Sequence, residues 1–466
     1  MKPQRSSTPT SPAELARQYE RHGAADSHLD LDEAALLQVV HHYRSRTMLD
    51  EALKVCDRAL RDHPHSHRLY LAKAKVLTEL HVYEYALEVL EQAETYGQGT
   101  PQIHIQRAQT YAGLGLEEDA FAELDKLGDP DDAVLRSMRS LAEATIFEQM
   151  GRNADMYFYL EQAIREWPDN LEAFELLWIC TEVTGRQEQT EALCEWVLSQ
   201  NPYHAHAWYN IGHTRYARGE KDGALTALEY AYIIDPRYEF AYREAGEICY
   251  EHGEYARAVE VYETMMEYIC CDNEVLLRLG QCYLHEGSFL QARLCINRVL
   301  TRNASHDEAL YYSGLCYAAE ENWPAAANAH RKAVSLNDRN ELYAAALAEA
   351  LLQTGDLARA EFYFQRAADT APELAEYWLR YGVFLFETGR ALEAIAVLDE
   401  AEDHTYGIDL EYLRVVLLLS LGREAAALRR LAELLAEDFE AHAILWRISP
   451  ELEDHDLVQQ VVRCFA

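Results

Sequence analysis

Residues 205–236 read AHAWYNIGHTRYARGEKDGALTALEYAYIIDP, and their spacing decides the fold. Trp208, Ile211, Gly212 and Arg215 recur at helical steps, Gly219 follows, Ala224, Leu228 and Ala231 recur at helical steps again, and Pro236 closes the stretch. Offsets of three and four place each set on one face of a helix. Gly219 permits a tight reversal, because glycine tolerates positive φ. Gly212 and Ala224 are small enough for two backbones to approach closely. Pro236 lacks an N–H and cannot continue a helix. The unit is an antiparallel helix pair that cannot bury its apolar face alone, so stacked neighbours must complete the core.

The same marks return at a fixed period. Gly151, Gly185, Gly219, Gly253, Gly287, Gly355 and Gly389 fall on a 34-residue grid that Glu321 interrupts. Gly212, Gly246, Gly280, Gly314, Ala348 and Gly382 form a second column. Ala224, Ala258, Ala292, Ala326, Ala360 and Ala394 form a third, and Pro168, Pro202, Pro236 and Pro372 a fourth. Upstream, Ala52, Ala86 and Ala120 keep the spacing while Thr47 and His81 stand at the turn. The step from Ala120 to Met156 is 36, which places two extra residues in the acidic loop 128–132, where a kink is expected; the step from Ala394 to Ala427 is 33. About twelve pairs start near residues 33, 67, 101, 137, 171, 205, 239, 273, 307, 341, 375 and 409.

The pattern resembles the tetratricopeptide repeat family, with its 34-residue period and W-x2-L-G-x2-Y…A-x3-F…P signature. Ala207-Trp208-Tyr209-Asn210-Ile211-Gly212 and Gly253-Glu254-Tyr255-Ala256-Arg257-Ala258 are close matches, and Tyr262, Tyr283, Tyr317 and Phe364 fill aromatic columns. The resemblance covers about 410 residues. It implies an all-α fold, a right-handed superhelical α-solenoid of about twelve helix-turn-helix repeats. On this reading residues 1–11 are a disordered tail and 12–32 an N-terminal helix or cap, with Ser11 as N-cap. Residues 33–136 are divergent repeats, 137–408 regular ones, and 409–466 a divergent last repeat with capping helices. That leaves no length for a catalytic domain.

Composition narrows the function. The 466 residues carry 42 Lys and Arg against 79 Asp and Glu, a formal net charge of −37. Nucleic acid and anionic membrane surfaces need a basic protein and are excluded as main ligands. The acidic excess has three readings: a basic partner, solubility of a long stack, or a salt-rich cytoplasm. The longest apolar run, residues 415–419, is far short of the ~20 residues that cross a bilayer. Residues 1–12 hold no apolar stretch of the secretory kind, so no membrane insertion and a cytoplasmic location are expected. The ten cysteines form no C-x-x-C pair, and their spacing fits apolar helix columns rather than a metal site. His63, His65 and His67 flank the end of a repeat and read as a polar loop. Phosphate-binding glycine loops, nucleophile elbows and H-E-x-x-H are missing from the sequence. Neither cofactor, metal nor enzymatic activity is expected.

Binding is expected on the first helix of each pair, on the side opposite its buried columns. His206, Tyr209, Asn210, His213 and Tyr216 line this face in the pair starting at 205, followed by Phe240, Arg243 and Tyr250, then Arg278 and Gln281, then Tyr311 and Tyr312. Aromatic rings with polar tips there point to a binding surface, and Asn210 could bond a peptide backbone. The alternative is that these residues pack against the next turn or a second copy of the chain. Some members of the resembled family clamp a chaperone's C-terminal carboxylate with Lys and Asn. The equivalent sites here read Tyr209, Arg243 and Leu277, which do not carry that function over. The expected function is a non-enzymatic scaffold that binds a peptide or helical segment of a partner protein. A peptide- or small-ligand-sensing regulator and an accessory subunit of an enzyme complex are the rivals. The charge itself makes a prediction: melting temperature rises from low salt to ~0.5 M as self-repulsion is screened. A flat or falling curve would mean the charges are compensated locally.

Overall fold

The structure, a computed structural model, describes residues 12–23, 31–44 and 46–465; the tail 1–11 with Ser11 lies outside them. The described residues contain 27 α-helices, two short 3-10 segments and no strand. After α1 (Pro12–Gly23) come α2 (Glu33–Arg44) with α3 (Leu49–Asp62), α4 (His67–Glu79) with α5 (Tyr83–Tyr96), α6 (Pro101–Gly113) with α7 (Glu117–Asp125), and α8 (Ala133–Gln149) with α9 (Asn153–Glu166). Next are α10 (Leu171–Thr184) with α11 (Gln187–Gln200), α12 (Ala205–Ala217) with α13 (Lys221–Ile234), α14 (Glu239–Glu251) with α15 (Tyr255–Tyr268), and α16 (Asn273–His285) with α17 (Phe289–Arg302). Then follow α18 (Asp307–Ala319) with α19 (Trp323–Leu336), α20 (Glu341–Gln353) with α21 (Leu357–Thr370), α22 (Ala375–Glu387) with α23 (Ala391–Glu402), and α24 (Ile408–Ser420) with α25 (Glu424–Glu437). Two short helices, α26 (Ala443–Ile448) and α27 (Asp456–Phe465), end the chain. The helices are thus twelve pairs of an all-α solenoid. They form two compact units, Met1–Ala245 and Gly246–Ala466.

The small columns do what their size allows. Ala52, Ala86, Ala120, Ala224, Ala258, Ala292, Ala326, Ala360, Ala394 and Ala427 are all fully buried. A Cβ on Gly212 would lie 2.7 Å from Leu228, one on Gly246 2.3 Å from Tyr262, and one on Gly314 2.3 Å from the His330 ring. Each of these partners stands sixteen positions downstream, on the second helix of the same pair. The glycine therefore admits a large side chain flat against the first helix's backbone. At Ala348 the column accepts a methyl, and Phe364 sixteen positions on is still buried. Burial pulls the His330 pKa down to about 4, so its ring packs as a neutral group.

The reversal between helices uses one backbone geometry throughout. Gly151, Gly185, Gly219, Gly253, Gly287, Gly355 and Gly389 have φ between 66° and 82°. Thr47 at 55°, His81 at 60° and Glu321 at 57° adopt the same left-handed conformation without being glycine. The hydrogen bonds agree: Glu220 N donates to Arg215 O at 2.9 Å, and Val82 N to Leu77 O and Asn322 N to Tyr317 O close the same six-residue turn at 2.9 and 2.8 Å. Entry into each pair is fixed as well. Trp208 Nε1 donates to Pro202 O and Trp378 Nε1 to Pro372 O, both at 2.9 Å. Ser66, Asn170 and Asn340 cap α4, α10 and α20 with their side chains.

Around the expected insertion, residues 126–132 link the two helices and α8 begins ahead of the start that the spacing gave. α7 stops at Asp125, Gly128 turns with φ 63°, and α8 starts at Ala133 rather than near 137, so it runs for 17 residues. Arg136 holds the loop by donating to Pro130 O at 3.0 Å and Asp131 O at 2.8 Å. Eight of the ten cysteines are buried, and Cys270 and Cys464 are exposed.

A residue with a Cβ in the left-handed region costs about 1–2 kcal/mol. Glu321→Gly and His81→Gly should therefore each stabilise the protein by about 1 kcal/mol in urea unfolding. An unchanged or lowered midpoint would mean these turns are not strained.

Candidate functional site

A ladder of polar contacts runs between successive first helices at a spacing of 31 residues. In the first unit His213 Nδ1 on α12 lies 2.7 Å from Glu244 Oε1 on α14. In the second, Arg278 Nε donates to Glu247 Oε1 at 2.8 Å and Arg380 Nη1 to Glu349 Oε1 at 2.9 Å.

In the first unit the structure brings His206, Tyr209, Asn210, His213 and Phe240 together. Tyr238, just ahead of α14, covers them: its ring lies 4.4 Å from His206 and 5.3 Å, edge-on, from Tyr209. Tyr209 is 5% exposed, and burial with Glu244 nearby drives its phenol pKa far up. Burial lowers His206 to about 4. Asn210 is fully buried, and its amide nitrogen donates to His206 O at 2.9 Å and Phe174 O at 3.3 Å. The expectation that Tyr209 and Asn210 line an open face is thus corrected. Five residues into the helix, the side chain is overlaid by the next pair, and a buried amide ties α12 to α10. Phe240 is 53% exposed, Tyr216 is half-buried, and Arg243 is paired with Glu239 at 2.6 Å.

In the second unit Tyr250, Arg278 and Gln281 meet. The Arg278 guanidinium sits 4.4 Å over the Tyr250 ring and donates to Gln281 Oε1 at 2.7 Å. Gln281 is buried, against the same expectation, and its amide reaches Glu308 at 3.3 Å. Tyr311 and Tyr312 are half-buried neighbours with rings 5.2 Å apart. Burial raises the Tyr312 phenol to about 12.

The first unit also holds a groove that the sequence reading missed. It encloses about 780 Å³ and is lined by five successive first helices, α2, α4, α6, α8 and α10. Leu37, Val40, Leu71, Ile105, Met138 and Leu141 give it an apolar floor; Val134 and Leu171 are exposed large hydrophobics on its wall. Gln102, Gln106 and Gln109 supply amides. Charge gathers in pairs. Arg44 donates to Glu79 at 3.0 Å, and Lys75 on α4 pairs with Glu172 on α10, 97 residues away in sequence. Burial would raise the Glu172 pKa, but Lys75 and Arg44 outweigh it and hold the carboxyl below its ordinary value. Burial, then Arg44 and Lys75, lower that of His41. The signal for this groove was the same side of the first helices, read upstream, where Thr47 and His81 stand at the turns of the first two pairs. Among the described residues no cluster of three or more His, Cys, Asp or Glu is arranged to hold a metal, and no helix is long and apolar enough to cross a membrane.

Comparison with known proteins agrees with this architecture. A tetratricopeptide repeat family profile matches residues 191–239, 277–340 and 345–405. Those three stretches of the chain are similar to the tetratricopeptide repeat family. It is 25% identical over 175 residues to human tetratricopeptide repeat protein 21A, covering 37% of this chain and 13% of that protein. It is 31% identical over 94 residues to anaphase-promoting complex subunit 3 of Schizosaccharomyces pombe, covering 20% of this chain and 14% of that one. The chain thus spans a small part of the length of either relative. Among solved structures, a tetratricopeptide repeat protein from Parabacteroides merdae aligns with 56% of this chain and 98% of its own at 17% identity and a TM-score of 0.42.

The geometry separates core from surface. Tyr209→Ala should cost about 3 kcal/mol as a buried aromatic, while Phe240→Ala should change stability by no more than about 0.5 kcal/mol. Equal melting of the two variants would contradict the burial of Tyr209.

Proposed function

We propose that the protein is a non-enzymatic interaction scaffold that holds an extended or helical segment of a partner protein, with the groove of the first unit as its principal seat. One observation carries this reading: an apolar groove of about 780 Å³ whose wall leaves Val134 and Leu171 exposed beside the amides of Gln102 and Gln109. That volume is in the range of sites that take ligands. Apolar anchors with interleaved amides suit a peptide, whose backbone offers a donor and an acceptor at every residue. The repeat is in general a protein-interaction module. His206, Tyr216 and Phe240 in the first unit, and Tyr250, Tyr311 and Tyr312 in the second, supply further aromatic contact surface on this proposal. Tyr209, Asn210, His213, Arg278 and Gln281 hold the neighbouring helices in place, and Arg243 is paired with Glu239 on its own helix. A net charge of −37 favours a basic partner through faster encounter, and the cytoplasm is the compartment we assign.

Photo-crosslinkers placed at Gln109 and Leu171 should capture the partner, and one at Ile233 on α13 should not. Val134→Arg combined with Leu171→Arg should weaken capture at least about tenfold, equivalent to about 1.4 kcal/mol, with melting unchanged. Undiminished binding by the double variant, or capture from Ile233 alone, would move the partner to another surface.

A further inference from the structure

In the first unit one rung of the ladder has a titratable group at its centre. His213 Nδ1 on α12 lies 2.7 Å from Glu244 Oε1 on α14, and Nε2 lies 3.2 Å from Glu182 Oε1 on α10. The His213 side chain is 13% exposed. From α10 the groups facing it are Glu182 and the Trp178 indole, edge-on at 5.1 Å. From its own helix it is Tyr209, stacked at 6.3 Å, whose phenol pKa burial and the nearby Glu244 drive up. From α14 it is Glu244, and Arg243 beside that residue is held by Glu239.

We propose that His213 is a proton-dependent clamp: when charged it ties three successive first helices, α10, α12 and α14, and when neutral it loosens its hold on one of the two carboxylates. A charged imidazole bonds Glu244 through Nδ1 and attracts Glu182 at 3.2 Å through Nε2, an ion pair without a hydrogen bond. A neutral one has a single N–H, so one carboxylate then faces a lone pair and the two acids lose the cation between them. The surrounding rings keep water away and make that loss count. The rungs at the same spacing in the second unit, Glu247–Arg278 and Glu349–Arg380, use arginine, which stays charged at every physiological pH. The clamp in the first unit is the rung that pH can open.

The direction follows from the environment. Burial pulls the imidazole pKa down, and Glu244 and Glu182 more than offset it, so the folded value lies above the ordinary one. The stabilisation is therefore complete below about pH 6.5, the unperturbed value, and is lost as pH rises through the higher folded value. This inference stands whether or not the groove binds a peptide, because its readouts need no partner.

The test uses the full chain with His213→Gln and His213→Arg. The ring-proton resonance of His213, assigned by its loss in His213→Gln, should titrate above pH 6.5. Wild type should melt about 2–4 °C above His213→Gln at pH 6, and the gap should close by pH 9. His213→Arg should keep the pH 6 advantage over His213→Gln at both values. Titration at or below pH 6.5, or an equal gap at pH 6 and pH 9, would make His213 a packing residue and overturn the proposal. Should His213→Arg fail to fold, the resonance and the His213→Gln comparison decide.

Discussion

In several pairs the two helices approach most closely where the first has almost no side chain. At Gly212, Gly246 and Gly314 the second helix lays Leu228, Tyr262 or His330 against bare backbone, with no space for a Cβ. Everything else depends on that approach. It sets the distance between the helices, which makes the left-handed reversal at Thr47, His81, Glu321 and the turn glycines geometrically necessary. It buries the alanine column fully. It also leaves the far side of each first helix as the surface on which successive pairs meet. A 34-residue period is the sequence trace of this constraint.

Stacking then decides what the far side can do. Much of it is occupied by the protein's own contacts: His213 with Glu244, Arg278 with Glu247 and Gln281, and Arg380 with Glu349. Buried groups such as Asn210 and Gln281 hold pair to pair. Where the first helices of the first unit curve around Leu71, Ile105 and Met138, the side chains do not fill the space, and a groove remains. The pairing of Lys75 with Glu172 closes one wall of it with a contact that no local pattern would suggest. The groove therefore lies on five pairs of which the first two turn at Thr47 and His81 and the other three at glycines.

That contrast explains what could be read in advance. The twelve pairs, the turn positions and the two-residue insertion ahead of α8 were legible because each is set by backbone geometry and residue size at fixed spacing. Glu321, which interrupts the glycine column, still turns with φ 57°, so register outweighed residue preference. The binding face was legible only as a helix side. Helical spacing placed Tyr209, Asn210 and Gln281 on it, but Tyr238 covers Tyr209, and the amides of Asn210 and Gln281 turn into the stack. Those coverings come from neighbouring pairs, and periodicity within one pair carries no information about them. The groove was missed for a related reason: it is the sum of five helices, and His41, Lys75 or Gln109 taken singly look like ordinary surface residues.

The central claim is that close approach at the small column organises each pair. A double-mutant cycle at Gly314 and His330 tests it most directly. Gly314→Ala forces a Cβ to 2.3 Å from the His330 ring, so it should destabilise the protein by about 1–3 kcal/mol as overpacking. With His330→Ala already present the added methyl has space, and its cost should largely vanish, giving a coupling of at least about 1 kcal/mol. If the two changes add to within about 0.5 kcal/mol, the glycine column would not be set by the side chain it faces.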